Sequence, residues 1–492
     1  MLTKRNATRG PGLPTLVLGA GQAGREMVRA LRAAPEYGLR PVAFLDDEVR
    51  LRRVSGLPVL GRLDEVAVIA ASVGARAALV SIPSLPPERI ADLIERAASA
   101  NLLVRHLPSF LAAVERSMRV SDLTGLHVEK LLGRDEVHVV SDRVRGLIRH
   151  RRILVTGAGG SIGAELCRQL GRFGPAALYM LDHDESNLHS AHLDVVGSGL
   201  LDNDGIIVAD IRDRPRLEQV FAETRPDLVL HAAAHKHLPL LERHPCEGVK
   251  TNVLGTQHLV DLAIRHGTSR FVLISTDKAA DPTSVLGATK RLAELIVQAA
   301  AGHSTTMASV RFGNVLGSRG SLLSVLAGQV ANGQAITVTH PDVTRFFMTI
   351  EEAAGLVLEA AMLAEYAETF VLDMGEPVGI VDLVHKYAAE VHMPQVRIKF
   401  TGLRPGEKLN EKVFSDSEIG VPTAHPKIWA TRASVVPTDL PAMLDQLYAA
   451  AAANDAKQTV GLLHAMLPEY QPAGRSVPVA RAAVAAPYPD GL

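Results

Sequence analysis

The chain has 492 residues, too many for one ordinary hydrophobic core, so two folded domains with short extensions are expected. With 47% hydrophobic and 21% charged residues, the composition is that of a globular protein and excludes a fibrous or disordered one. Lysine and arginine total 52 against 53 acidic residues, which offers no positive field for nucleic acid, and the two distant cysteines, Cys167 and Cys246, argue against a disulfide framework or a zinc site.

The leader Met1 to Gly12 is basic and lacks the apolar centre of a signal peptide. No later run reaches the roughly 18 apolar residues that a bilayer span needs; even the apolar stretch Val66 to Ile82 is broken by Arg76. The expectation is a chain with no membrane span, cytoplasmic, with association at the inner face of the membrane left open.

The first patterned element is TLVLGAGQAGREMVRAL, Thr15 to Leu31, an apolar run that turns through Gly19, Gly21 and Gly24 into a helix-like stretch. Asp46 and Asp47 follow the next strand. Such a GxGxxG turn either holds a nucleotide or is simply a tight strand-to-helix connection, and the pattern alone does not choose between them. VAFLDDE, AALVSIP and LLVRHLP, with a helical ERIADLIERAASA between the last two, complete a small Rossmann-like domain over residues 14–120. The charged, aperiodic segment 121–150 reads as a connector.

From residue 151 to about 435 the β/α alternation resumes and defines the larger domain. ILVTGAGGSIGAELCRQL places Gly157, Gly160 and Gly163 directly after a strand, with Ser161 and Ile162 opening the helix. Missing side chains there let the backbone approach a pyrophosphate at a helix N-terminus. Asp182 closes the next strand about 20 residues later, the place of a carboxylate that binds the adenosine ribose 2′-hydroxyl, which favours NAD over NADP. Asp210 and Ile211, in VADI, complete the candidate cofactor set.

HAAAHKH sets His231 four residues before His235. That spacing would suit a metal on a helix, but the segment reads as a strand end, so no metal site is expected and Lys236 is kept as a substrate-facing candidate. FVLISTDKAADPTSVLGATKRLAE, Phe271 to Glu294, brings Thr276, Asp277 and Lys278 out together at a strand end. A carboxylate beside an amine is what an elimination needs, one group protonating a departing hydroxyl while the other removes a carbon-bound proton. Arg311, Asn314 and Arg319 in RFGNVLGSRGS, Arg345 in TRFF and Arg404 in GLRPGEKL are candidates for holding a diphosphate. Residues 436–492 read as an alanine-rich helical extension running into a disordered, proline-containing tail.

The ordered set TGAGGSIG, HAAAHKHLPLLE, TNVLGTQ, STDKAADPTSVLGATKR, RFGNVLGSRGS, THPDVTRFFMTI and GLRPGEKL resembles the large, two-domain nucleotide-sugar 4,6-dehydratases of polysaccharide biosynthesis, within the extended short-chain dehydrogenase/reductases. The resemblance implies an α/β fold with two Rossmann-like doubly wound domains, the first CoA-binding-like and the second carrying a smaller substrate-binding part. It implies NAD as cofactor, a UDP-N-acetylhexosamine as substrate and assembly as a homo-oligomer. It assigns Asp277 to protonate the C6 hydroxyl, Lys278 to take the C5 proton, Thr276 to meet the C4 hydroxyl, and Lys290 to hold the nicotinamide ribose. Relatives of this superfamily usually carry Tyr four residues before that Lys, and the large dehydratases Met; here it is Leu286. A C4 epimerase, which needs no acid at C6, and a non-catalytic nucleotide-sugar sensor are the alternatives.

Overall fold

The computed structural model describes residues 13–33, 39–48, 52–82, parts of 89–106, and 140–472 apart from 198–202, 319, 332–333, 391–395 and 432–435. The chain divides into two compact units, each with its own sheet.

In the first unit the strands are β1 (Leu13–Leu18), β2 (Leu39–Leu45), β3 (Arg53–Val54), β4 (Leu57–Gly61), β5 (Ala77–Val80) and β6 (Leu103–His106), in the order β3-β4-β2-β1-β5-β6. β1 pairs in parallel with both β2 and β5. Its residues Thr15–Leu18 are buried in an unbroken run because both faces are covered: Leu16 and Leu18 enter one apolar cluster and Val17 the other. Helix α1 (Gln22–Ala33) follows a turn at Gly19, whose φ of +106° only glycine adopts readily, and α2 (Val66–Val73) precedes β5.

The second unit is built on β7 (Arg152–Thr156), β8 (Ala177–Asp182), β9 (Ile206–Val208), β10 (Leu228–His231), β11 (Arg270–Ile274), β12 (Thr306–Arg311), β13 (Glu368–Leu372), β14 (Gly420–Pro422) and β15 (Ile428–Thr431). Their order is β14-β15-β13-β12-β11-β10-β7-β8-β9; all pairings from β9 to β13 are parallel, and β15 and β14 close the edge antiparallel. Strand order reverses between β7 and β10, the point at which doubly wound sheets open a ligand crevice. Successive residues alternate between two cores: Leu154, Val229, Phe271 and Leu273 on one face, Ile153, Val155, Leu228, Leu230 and Val272 on the other. The α/β class expected from the sequence is the architecture observed.

Two boundaries are corrected. Within the expected connector, residues 121–139 lie outside the described residues, but Asp142–Ile148 is a helix, α3, whose Val144 and Ile148 are fully buried in the second unit. The expected C-terminal extension is integral up to residue 472: Leu440, Leu444, Leu447, Leu463 and Met466, on two helices spanning Leu440–Ala452 and Ala456–Met466, and Tyr470 just after them complete the core that contains Leu154. Burying these side chains is worth roughly 1.5–3 kcal/mol each, enough to fix both helices in place. The disordered tail expected beyond residue 472 falls outside the described residues.

Candidate active site

Two glycine loops are built alike. After β7, Gly157 takes φ +70°, and a Cβ on Gly163, in helix α4 (Ser161–Gly171), would lie 2.1 Å from the Gly157 carbonyl oxygen. After β1, a Cβ on Gly24 would lie 1.9 Å from the Gly19 carbonyl oxygen. In each, an aspartate from the neighbouring strand accepts a loop amide: Gly159 donates to Asp182 at 2.9 Å, Ala20 to Asp46 at 2.6 Å. Gly160, Ser161 and Ile162 open α4 at the switch point, and backbone atoms of Ala232 and Ala233 after β10 would stand 2.6–2.7 Å from a Cβ on Gly157. The second loop therefore has the close backbone approach, the helix start and the buried carboxylate that a dinucleotide requires. Asp210 is engaged by Arg212 at 2.6 Å, and Ile211 is buried beside it, against Gly255.

His231 cannot serve a metal without losing its partners, since its ring nitrogens meet Thr156 at 2.8 Å and Thr256 at 3.0 Å. Burial and the nearby Lys290 hold it well below the usual histidine range, hence neutral. Lys236 is exposed on the loop after β10.

At the end of β11 the chain makes one short helical turn at Asp277–Ala279, with the Thr276 hydroxyl accepting from the Lys278 amide. Asp277 is completely buried; its Oδ1 accepts from the Thr276 hydroxyl and from the Lys278 ammonium, both at 2.9 Å. Its Oδ2 is buried without a hydrogen-bond partner among the described residues, facing Gly313, where a Cβ would come within 3.0 Å. The Lys278 ammonium also donates to Asn314 at 3.3 Å, so the structure brings this candidate substrate residue to the pair. Burial disfavours the charge on Lys278, but Asp277 and Glu411 outweigh that and raise its pKa above the ordinary lysine value.

The helix that carries Lys290, α5 (Val285–Ala299), begins against this turn. Ser284 caps it by accepting from the Gly287 amide at 3.1 Å, and a Cβ on Gly287 would lie 2.3 Å from the Lys278 carbonyl oxygen. Lys290 and Leu286 are both buried on this helix; burial pulls Lys290 down to about 8, with Glu294 opposing.

Two arginine assignments are corrected. Arg311 is 1% exposed at its side chain and is saturated by carboxylates, Glu294 at 2.6 and 2.7 Å and Glu418 at 2.6 and 2.9 Å, so it holds the interior together and does not face a substrate. Arg345 is also spent internally, donating to the Thr344 and Leu409 carbonyls and to Glu407 at 2.8 Å, which pins the GLRPGEKL loop. Arg404 is exposed on that loop, and Arg319 lies outside the described residues.

Three contributors were not singled out from the sequence. Asn252, in a π-helical stretch at Val249–Leu254, accepts from the His235 amide and donates to the His235 carbonyl and to Thr289, beside Lys290. Glu411 and Lys408 come from the pinned loop, Glu411 4.0 Å from the Lys278 ammonium and 3.5 Å from that of Lys408. The available signal for Asn252 was its place in TNVLGTQ, where a π-turn often marks a functional site.

The chain is similar to the probable polysaccharide biosynthesis protein EpsC of Bacillus subtilis, with 39% identity over 84% of this chain and 70% of that protein. A UDP-N-acetylglucosamine 4,6-dehydratase (inverting) of Campylobacter jejuni is 32% identical over 54% of this chain and 78% of its own length. Among solved structures, Pen from Bacillus thuringiensis superposes with a TM-score of 0.54 and 31% identity over 59% of this chain and 89% of that one. Residues 153–433, the span that holds the second glycine loop and the Asp277–Lys278 pair, match the polysaccharide biosynthesis protein family, and with more than half its length in that match the chain belongs to it.

Proposed function

We propose that this protein is a NAD-dependent 4,6-dehydratase of a UDP-N-acetylhexosamine, UDP-N-acetylglucosamine in the first instance. The observation that carries the reading is the buried Asp277–Lys278 pair with a free carboxylate oxygen, Oδ2, at the end of a central strand. An epimerase has no use for an acid placed there, and the similarity to the Campylobacter jejuni dehydratase supports the same choice.

NAD fits the second glycine loop, where the Gly157, Gly160 and Gly163 backbone leaves no side chain between the sheet and a pyrophosphate and Asp182 offers a carboxylate to a ribose hydroxyl. When bound, it takes a hydride from the substrate and gives one back. The remaining steps belong to the chain. One proton moving along the 2.9 Å contact from Lys278 to Asp277 converts an ammonium and a carboxylate into an amine and a carboxylic acid, so base and acid arise in a single step. The Lys278 amine then takes the C5 proton, Asp277 protonates the C6 hydroxyl, and water leaves. Leu286 has no proton to exchange, so the C4 hydroxyl proton is assigned to Thr276 and, through it, to Lys290, whose pKa of about 8 suits an acceptor.

Incubation with UDP-N-acetylglucosamine and NAD, followed by mass spectrometry, tests the reading. A product lighter by one water supports it; a converted product of unchanged mass replaces it with epimerisation.

A further inference from the structure

We propose that Glu411 is a positioning residue of this elimination, keeping the one proton that Asp277 and Lys278 must share within the pair; the inference rests on the dehydratase reading above. Its carboxylate is buried, and Oε2 has no hydrogen-bond partner among the described residues. An ion this deep is costly unless other charges compensate it. The compensation comes from two ammonium groups, Lys278 at 4.0 Å and Lys408 at 3.5 Å. Lys408 is itself anchored, donating to the Ala280 carbonyl at 2.8 Å, directly after the catalytic turn. The GLRPGEKL loop that carries Lys408 and leads into Glu411 is held by Arg345 through Glu407 and the Leu409 carbonyl.

The chemistry explains why a second carboxylate is needed. The pair works only while it holds exactly one exchangeable proton beyond the neutral amine and carboxylate. Burial alone would strip that proton from Lys278 as the pH rises, since low dielectric disfavours the ammonium. Asp277 supplies one opposing charge and Glu411 the other, while Arg345 pushes the opposite way and Asn314 contributes an uncharged acceptor. Lys408 tempers Glu411 from its far side. Among the described residues, these charged groups face the Lys278 ammonium, from the turn, from the pinned loop and from Arg345, which pins it. Glu411 touches Lys278 and not the reacting carbons, so its effect passes through the proton on Lys278.

The test is the pH profile of kcat/KM for dehydration of UDP-N-acetylglucosamine by the full chain with NAD. Glu411→Gln should move the alkaline limb down by about one pH unit, the lower end of what loss of one opposite charge at this distance produces. Its deficit should therefore be large at alkaline pH and shrink as pH falls, and Glu411→Asp should recover part of the shift. Lys408→Met removes the cation on the other side of Glu411 and should move the same limb upward, which keeps the inference testable if Glu411→Gln does not fold. Deficits of constant size across pH in both variants overturn the role given to Glu411 while leaving dehydration by the parent intact. A parent enzyme that releases no water overturns the underlying reading instead.

Discussion

Gly287 and Lys278 meet backbone to backbone: a Cβ at position 287 would stand 2.3 Å from the Lys278 carbonyl oxygen, closer than any real contact. The start of the Lys290 helix is thereby pressed onto the turn that carries the acid–base pair. Gly287→Ala should push that turn away, and misplacement of the reacting groups by about 1 Å can cost on the order of 10²-fold in rate. Steady-state kinetics should show the loss in kcat, while calorimetric titration shows NAD binding close to that of the parent, because the glycine loop after β7 is not touched.

Arg311 provides a contrasting expectation, since it was a substrate candidate and is instead an interior brace. Arg311→Met should cost about 3–5 kcal/mol of stability, the range for breaking a buried ion pair and stranding its partner, here Glu294 and Glu418. Denaturant unfolding measures it. Should the loss of affinity for UDP in the folded fraction prove as large as the loss of stability, the brace assignment is wrong.

Glu294 carries the pH dependence of the same brace. Burial would raise its pKa, but Arg311 and Arg291 with the Ser275 hydroxyl lower it from 4.5 to about 2. A carboxylate whose folded-state pKa is depressed contributes stability that is complete above its unfolded pKa and is lost as pH falls toward the folded one. Unfolding midpoints recorded from pH 5 down to about pH 2 should therefore fall more steeply for the parent than for Arg311→Met.

Asp182 should set cofactor choice. Its carboxylate is buried at the end of β8 and holds the Gly159 amide, so a 2′-phosphate would meet a fixed like charge. Like-charge juxtaposition costs several kcal/mol, so NAD should bind tighter than NADP by about tenfold or more. Equal affinities in a titration would remove Asp182 from this role.

Asp277→Asn keeps the shape of the side chain and removes its acid. Dehydration should fall by about 10²–10⁴-fold, the usual contribution of a positioned general acid. Oxidation at C4 draws on other residues, so absorbance from the reduced cofactor should still appear in single-turnover experiments. Leu286→Met, a swap of similar volume at an apolar position, should keep most activity. Full water loss by Asp277→Asn would strike that residue from the acid role.

The strands and the glycine loops were legible because their signals are local. β7, β10 and β11 carry unbroken apolar runs, Ile153–Val155, Leu228–Leu230 and Phe271–Ile274, as strands covered on both faces must, and the third glycine of each loop, Gly24 and Gly163, stands within a few residues of the carbonyl that excludes its side chain. Arg311 was misread because a guanidinium at a strand end has the same sequence signature whether it meets a phosphate or an interior glutamate. What decides the matter is Glu294 and Glu418, distant in sequence and brought in by separate elements. Glu411 was hidden for the same reason. The C-terminal helices were readable in part: Leu440, Leu444, Leu447 and Ala451 recur at helical spacing, the mark of a buried stripe, but the surrounding alanines obscured it.

The twin glycine loops have a consequence for how variation in this chain should be read. At position 24 a Cβ would strike the Gly19 carbonyl, whereas at position 21 there is nothing among the described residues within 4 Å. In a saturation library screened for folded protein, position 24 will therefore reject nearly every replacement and position 21 will accept nearly all. A screen for growth that also rejects side chains at position 21 would report something that comes to rest on the loop from outside, since no described residue makes a demand there.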